Sequence, residues 1–147
     1  MSNGFHRRIE AQEQAVRALL AETRAWLRAR DVSEATCGTV EIALAEALNN
    51  IVEHAYAGRA GRIGIAAVLD GAQLRCTLTD RGRPLPGLCP PEGDGPALDR
   101  TGAEMPEGGF GWFLIRTLTR AQRYERTADV NRLTLAFELE TGTDPAP

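Results

Sequence analysis

The 147-residue chain contains no lysine, so all 17 of its basic residues are arginine. A Walker-type phosphate loop needs a lysine to contact the nucleotide, and Schiff-base enzymes need one to bond their carbonyl substrates. The sequence therefore excludes both kinds of site. A formal net charge of −3 and an isoelectric point near 5.4 also give no electrostatic footprint for nucleic acid.

Cysteine is scarce, and Cys37, Cys76 and Cys89 lie far apart along the chain. They form no C-x-x-C pair, and no histidine lies nearby to complete a zinc site. We therefore predict reduced thiols in a cytoplasmic protein, with Cys37 and Cys76 packed as small hydrophobic side chains. The sequence also lacks the apolar run of about 18 residues that a membrane span needs, and its start does not resemble a secretory signal.

What the sequence does contain is an ordinary globular composition, with 43% hydrophobic and 25% charged residues. We predict one domain over residues 1–147, with its core at about 5–139 and a frayed tail at 141–147. Residues 83–107 contain most of the eight prolines and almost no periodicity. A loop of this length inside a small domain is usually functional or disordered.

Hydrophobic periodicity and turn signals predict the order of the regular elements. The predicted elements are a strand at 5–9, a helix at about 12–30, a second helix capped within 31–33 and running to about 56, a hairpin whose strands flank the Asp70-Gly71 turn, a short helix at 110–120, and strands at 122–126 and 130–139. This order predicts an α+β fold, a two-layer sandwich in which helices cover one face of a mostly antiparallel mixed sheet.

The first functional signal is a polar stripe on the second predicted helix. Glu46 and Asn50 are one turn apart, and His54 follows a further turn along. Aligned polar groups on a largely apolar helix are costly to bury unless something binds them. An oxygen-lined face suits magnesium and the phosphates that it carries, although Glu46 could also be an ordinary solvated glutamate.

Two shorter motifs follow. Asp80 and Gly82 end the hairpin, where a carboxylate can accept a hydrogen bond from an amino group and glycine allows a flat ligand to come close. Gly109 and Gly111, in the run GGFG, open the short helix, whose free N–H groups favour an anion. Taken singly, the first motif could be a plain turn and the second a flexible hinge.

In this order and spacing, the three motifs resemble those of the GHKL ATPase superfamily, and most closely its anti-sigma factor serine kinases. The run EALNNIVEHAY at 46–56 is similar to the N box of that family. The run DRGRP at 80–84 is similar to its adenine-binding box, and PEGGFGWFLI at 106–115 to its second glycine box. The likeness spans about 5–139 and implies a Bergerat-type ATP-binding fold with ATP and Mg²⁺ as ligands.

The resemblance also implies a role for each matching residue. Glu46 would be the catalytic general base, and Asn50 would be the magnesium ligand. Asp80 would accept a hydrogen bond from the adenine amino group, and Gly82 would make room for the ring. Gly109 and Gly111 would be the backbone donors to phosphate, and His54 would be an orienting or packing residue beside the nucleotide. Residues 83–107 would form a lid. Relatives often carry a basic residue where this chain has Phe110, so phosphate charge would be met by magnesium, backbone amides or an arginine such as Arg100.

The activity that the resemblance implies is that of a cytoplasmic, ATP-dependent serine-protein kinase. Such a kinase would sequester a sigma factor, phosphorylate a serine on an anti-sigma factor antagonist, and form a homodimer, with no direct contact to nucleic acid or membrane. A second interpretation is a non-catalytic ATP-binding module that acts only by sequestering a partner. A third is a sensor-kinase domain acting on histidine, which ranks last because no separate pair of dimerisation helices is visible.

Overall fold

The computed structural model describes residues 3–85 and 109–139 of the chain. Its elements are β1 (Gly4–Glu10), α1 (Glu13–Arg28), α2 (Glu34–Asn50), a π-helical segment (Ile51–Ala55), β2 (Arg62–Asp70), β3 (Gln73–Asp80), α3 (Gly109–Leu118), β4 (Ala121–Thr127) and β5 (Val130–Glu138). The predicted strands and helices are confirmed, with ends shifted by a few residues. Most of the predicted lid, Arg100 and the predicted tail lie outside the described residues.

The five strands form one sheet in the order β1-β2-β3-β5-β4. All four neighbouring pairs are antiparallel, which is more regular than the mostly antiparallel mixed sheet that the sequence predicts. Alternate residues of the strands face the helices, as Leu74, Cys76 and Leu78 do on β3. The predicted α+β sandwich is therefore confirmed.

The helices cover this apolar face of the sheet with a stripe of buried side chains. Leu19 and Leu27 of α1 and Leu44 and Leu48 of α2 are almost fully buried in the same cluster as the inward strand residues. Burying each leucine stabilises the fold by about 1.5–3 kcal/mol relative to leaving it exposed. The same core thus includes α2, which carries Glu46 and Asn50 of the predicted polar stripe.

The second predicted helix begins as expected and changes pitch before it ends. Ser33 caps α2, because its hydroxyl accepts a hydrogen bond from the backbone N–H of Thr36 at 3.1 Å. The α-helix stops at Asn50, and the backbone N–H of Tyr56 then donates to the carbonyl of Ile51, a π-helical spacing. The carbonyl of Ala55, at the end of this segment, accepts a hydrogen bond from the backbone N–H of Arg83 at 2.8 Å. The segment just after Asn50 is therefore joined to the end of β3.

The thiol prediction for the core is confirmed. Cys37 and Cys76 are buried free cysteines, and burial raises the pKa of the Cys76 thiol to about 12. Cys89 lies outside the described residues. Within 3–85 and 109–139, none of the helices combines the length and the apolar character needed to cross a bilayer.

Candidate nucleotide site

The site begins where α2 and α3 meet, and Gly111 is the contact point. A β-carbon built at Gly111 would lie 2.8 Å from Glu46 Oε2 and 3.9 Å from Asn50 Nδ2. The carboxylate and the amide therefore converge on the first turn of α3, as their spacing of one helical turn predicts. Only glycine leaves this space open, because any larger residue would press on the carboxylate.

Asn50 has an unused hydrogen-bonding group at this point. Its Nδ2 atom is buried, and none of the described residues offers it a partner. A buried donor without an acceptor costs about 1–3 kcal/mol, so this N–H₂ is open to a phosphate oxygen, another ligand or an ordered water. The amide fits the predicted pair of ligands, since its N–H₂ can donate to a phosphate oxygen and its carbonyl oxygen is of the type that Mg²⁺ binds.

A cavity of about 330 Å³ extends from Asn50 along the sheet. Ligand pockets typically measure roughly 300–1,000 Å³ and are mostly apolar with a few polar groups, and this cavity has that character. Its apolar walls include Ile51, Leu85, Trp112 and Leu133, and the predicted residues Asn50, His54 and Asp80 also line it. The structure thus brings three of the predicted side chains to one cavity, with Glu46 one turn away from Asn50.

Asp80 supplies the buried charge of this cavity. The carboxylate is only 6% exposed, and its Oδ1 accepts hydrogen bonds from the backbone N–H of Gly82 and from Asn131 Nδ2, both at 2.8 Å. Burial raises the pKa of Asp80, while these two hydrogen bonds and the positive charge of Arg126 act in the opposite direction. No hydrogen bond in the described part of the chain uses Oδ2, so that oxygen can accept one from a ligand.

Gly82 makes a different close approach from the predicted one. A β-carbon at this position would lie 2.5 Å from the backbone carbonyl carbon and oxygen of Ala55, and Gly82 is not among the residues that line the cavity. Glycine is needed here so that the chain after β3 can lie against the π-helical segment. The role of Gly82 beside an adenine ring stays a prediction.

His54 lies in the π-helical segment and is exposed at the edge of the cavity. Within residues 3–85 and 109–139, no three histidine, cysteine, aspartate or glutamate side chains gather as they would around a metal ion. That His54 is not a zinc ligand stays a prediction. Its orienting role beside a nucleotide stays a prediction.

Among the cavity residues that sequence reasoning did not assign to the site are Trp112, Tyr124 and Asn131. The side chain of Trp112 is 7% exposed, so it belongs to the core and also forms part of the cavity wall. Asn131 stands at an inward position of β5, in the same alternation as Leu133, and is 4% exposed. A polar residue on the apolar side of a strand is the signal that could have identified it.

Comparison with known proteins identifies the family to which this sequence is similar. Residues 9–137 match the model of a family described as the histidine kinase-like ATPase domain. A search of curated proteins found no match.

Solved structures share the fold. The RsbU and RsbW domains of Rv1364c from Mycobacterium tuberculosis are 24% identical over 92% of this chain, with a TM-score of 0.65. The blue-light activated histidine kinase EL346 of Erythrobacter litoralis is 26% identical over 74% of this chain, with a TM-score of 0.54. This chain covers only 32% of each of those two proteins. SiaB in the SiaB-SiaC complex from Pseudomonas aeruginosa has the same fold: the match is 12% identical, covers 90% of this chain and 88% of that chain, and has a TM-score of 0.58.

Proposed function

This chain belongs to the histidine kinase-like ATPase family, and from that premise we propose that it is an ATP- and Mg²⁺-dependent serine-protein kinase. Its substrate is a small anti-sigma factor antagonist, and it also binds and silences a sigma factor in the cytoplasm. Similarity of the three motifs to anti-sigma factor serine kinases supports both partners. A fold shared with the RsbW domain and with SiaB in its complex with SiaC is consistent with them.

One observation carries the catalytic part of the proposal: Glu46 and Asn50 converge on the first turn of α3. Phosphoryl transfer needs mainly positioning and charge neutralisation, and both depend on where these groups point. Asn50 would hold the magnesium ion through its carbonyl oxygen and a phosphate oxygen through its N–H₂. The N-terminal turn of α3, at Gly109 and Gly111, offers backbone N–H groups to the same phosphates.

Glu46 is the general base of the transfer step. Its carboxylate takes the proton from the substrate serine as the hydroxyl oxygen attacks the γ-phosphorus of ATP. The new bond joins the serine oxygen to phosphorus, and the bond between the γ-phosphorus and the bridging oxygen of the β-phosphate breaks. ADP leaves with the electron pair of that bond. Asp80, at the other part of the cavity, accepts a hydrogen bond from the adenine amino group.

The test is transfer of label from γ-labelled ATP to purified small proteins encoded next to this chain. Glu46→Gln is expected to bind ATP as the wild type does and to lose transfer by about 10²-fold or more, the usual contribution of a general base. Glu53→Gln is a matched control, because Glu53 is an exposed carboxylate on the following π-helical segment. Equal transfer rates for Glu46→Gln and wild type would show that Glu46 is not the base.

A non-catalytic ATP-binding module is the second candidate. It is favoured by the absence of lysine and by Phe110 in place of a basic residue, which leave fewer charges to stabilise the transfer. ATP binding together with partner binding, but without any label transfer to the partner, would identify this function. The homodimer implied by the resemblance is tested separately, by measuring the molar mass of the purified chain with and without ATP in sedimentation.

A further inference from the structure

The amide of Asn131 lies at the centre of a hydrogen-bond network beside the cavity. β3 and β5 pair so that Asn131 stands directly opposite Asp80. The Nδ2 atom of Asn131 is 2.8 Å from Asp80 Oδ1, 3.2 Å from the carbonyl oxygen of Gly82 and 3.0 Å from that of Arg83. Its two protons therefore serve three acceptors that all belong to the end of β3 and the residues just after it.

The oxygen of the same amide is held by two donors from β4. The hydroxyl of Tyr124 donates to Asn131 Oδ1 at 2.5 Å, and Arg126 Nη1 donates to it at 2.8 Å. The Tyr124 oxygen in turn accepts the backbone N–H of Leu85 at 3.0 Å. The Tyr124 hydroxyl and the Asn131 amide each donate and accept, and all of these bonds run in compatible directions.

These contacts fix which way the Asn131 amide faces. If the amide turned over, its oxygen would meet the carboxylate of Asp80, and its N–H₂ would meet the donors Tyr124 and Arg126. Both contacts would be repulsive in a site where Asn131 is 4% and Asp80 is 6% exposed. The donors on β4 therefore determine the orientation of Asn131, and Asn131 determines which oxygen of Asp80 stays available.

We propose that Asn131 is a positioning residue that makes the cavity selective for a base carrying an amino group. It engages Asp80 Oδ1 and leaves Oδ2 as an acceptor without a donor of its own. Asn131 itself has no free donor or acceptor, so it acts through Asp80 and does not touch the base. This inference rests on the proposed function, since it requires that the cavity binds a purine nucleotide.

The chemistry distinguishes two ligands that differ at one position. ATP offers an amino group at C6 of the purine, whereas ITP offers a carbonyl oxygen there. An ionised carboxylate can only accept hydrogen bonds, so it binds the first and repels the second. A charge-assisted hydrogen bond in a buried site corresponds to at least about a tenfold preference for ATP.

The experiment measures the dissociation constants of ATP and ITP by calorimetry for wild type, Asn131→Ala and Asn131→Leu. Leucine has nearly the shape of asparagine and suits the apolar row of β5, so Asn131→Leu keeps the space filled without the amide. We expect the preference for ATP to fall from about tenfold or more toward one in both variants. Loss of packing alone would weaken both nucleotides together and leave their ratio unchanged.

A further variant leaves Asn131 in place. Tyr124→Phe combined with Arg126→Met removes both donors to its oxygen, so the amide is free to turn, and the ATP preference is expected to fall here too. The inference is overturned if every folded variant keeps the wild-type ratio of affinities. That result differs from a failure of the proposed function, in which wild type itself binds neither nucleotide.

Discussion

Gly111 of α3 faces the carboxylate of Glu46 on α2, with room for a hydrogen atom and no more. A β-carbon at Gly111 would lie 2.8 Å from Glu46 Oε2. The atom that it would meet is the end of a flexible side chain, which can turn away. The contact therefore constrains where the carboxylate points more than it constrains the packing of the two helices.

Gly111→Ala is expected to separate stability from catalysis. Alanine favours the helix by about 1 kcal/mol relative to glycine, so the melting temperature should stay the same or rise. The displaced Glu46 carboxylate should slow phosphotransfer by about 10²-fold, as loss of a general base does. Calorimetric melting and label transfer measure the two effects. A variant with full activity would mean that the position of Glu46 next to Gly111 does not matter for transfer.

Gly82→Ala is expected to lower the stability of the fold, unlike Gly111→Ala, because the atoms that its β-carbon would meet belong to the backbone. Its β-carbon would lie 2.5 Å from the carbonyl of Ala55, which cannot move without shifting the π-helical segment. We expect a loss of about 1–3 kcal/mol in the free energy of unfolding, measured with urea. Gly38→Ala in α2 is the control, since nothing lies within 4 Å of its β-carbon. Equal stability of the two variants would contradict the close approach.

Asp80→Asn is expected to weaken ATP binding without weakening the fold. Burial raises the pKa of Asp80, so the folded chain takes up a proton there more readily than the unfolded chain does. The contribution of this group to stability is therefore present below its unfolded pKa and is lost as the pH rises through the folded pKa. At neutral pH the ionised carboxylate is destabilising, and asparagine keeps an oxygen for Asn131 and Gly82 without the charge.

The measurements for Asp80→Asn are thermal melting without nucleotide and calorimetric titration with ATP, both at neutral pH. The variant should melt at the wild-type temperature or higher and should bind ATP about tenfold or more weakly. In the wild type, ATP affinity should also fall as the pH is lowered toward the raised pKa of Asp80, because the carboxylate loses its charge. Unchanged ATP affinity in the variant would remove Asp80 from the site.

The start of α2 provides a prediction for acid stability. Glu34 pairs with Arg28 at 2.7 Å and Arg24 at 3.1 Å, and these hydrogen bonds lower the pKa of Glu34 to about 2 from 4.5. A depressed pKa contributes stability above 4.5 that is lost as the pH falls toward 2. We expect Glu34→Gln to flatten this part of the pH–stability curve. High salt should reduce the difference, because the pair is largely exposed.

Glu13→Gln is the control for the acid prediction, since Glu13 forms a more exposed pair with Arg17 one turn along α1. It should change the curve less than Glu34→Gln does. If the two variants behave alike between these pH values, the contacts of Glu34 with Arg28 and Arg24 do not contribute to acid stability.

Local pattern predicted where much of the candidate site lies. Glu46 and Asn50 are one helical turn apart, so α2 alone places them on one face. Asp80 ends an alternating strand, and the register of that strand in the sheet determines which way its side chain faces. The third motif needed only that α3 begin at its glycines, and it begins at Gly109. Each of these features depends on a few consecutive residues, which is why the sequence contains the information in readable form.

What the sequence did not reveal depends on contacts between distant residues. Asn131 is 51 residues from Asp80 and reaches it only because β3 pairs with β5 in one particular register. The change of pitch after Asn50 is likewise accompanied by a distant contact, in which the backbone N–H of Arg83 donates to the carbonyl of Ala55. Neither feature has a local pattern of its own, since each arises when the end of β3 packs against another element.

The position of Trp112 in the cavity wall gives the protein an intrinsic optical sensor. The chain has two tryptophans, and the other, Trp26, packs against Phe5 and beneath the guanidinium of Arg30, away from the cavity lining. In a Trp26→Phe chain, emission excited at the indole band would come from Trp112 alone. Filling the cavity would then change the fluorescence directly, so occupancy could be followed in real time without attaching a dye.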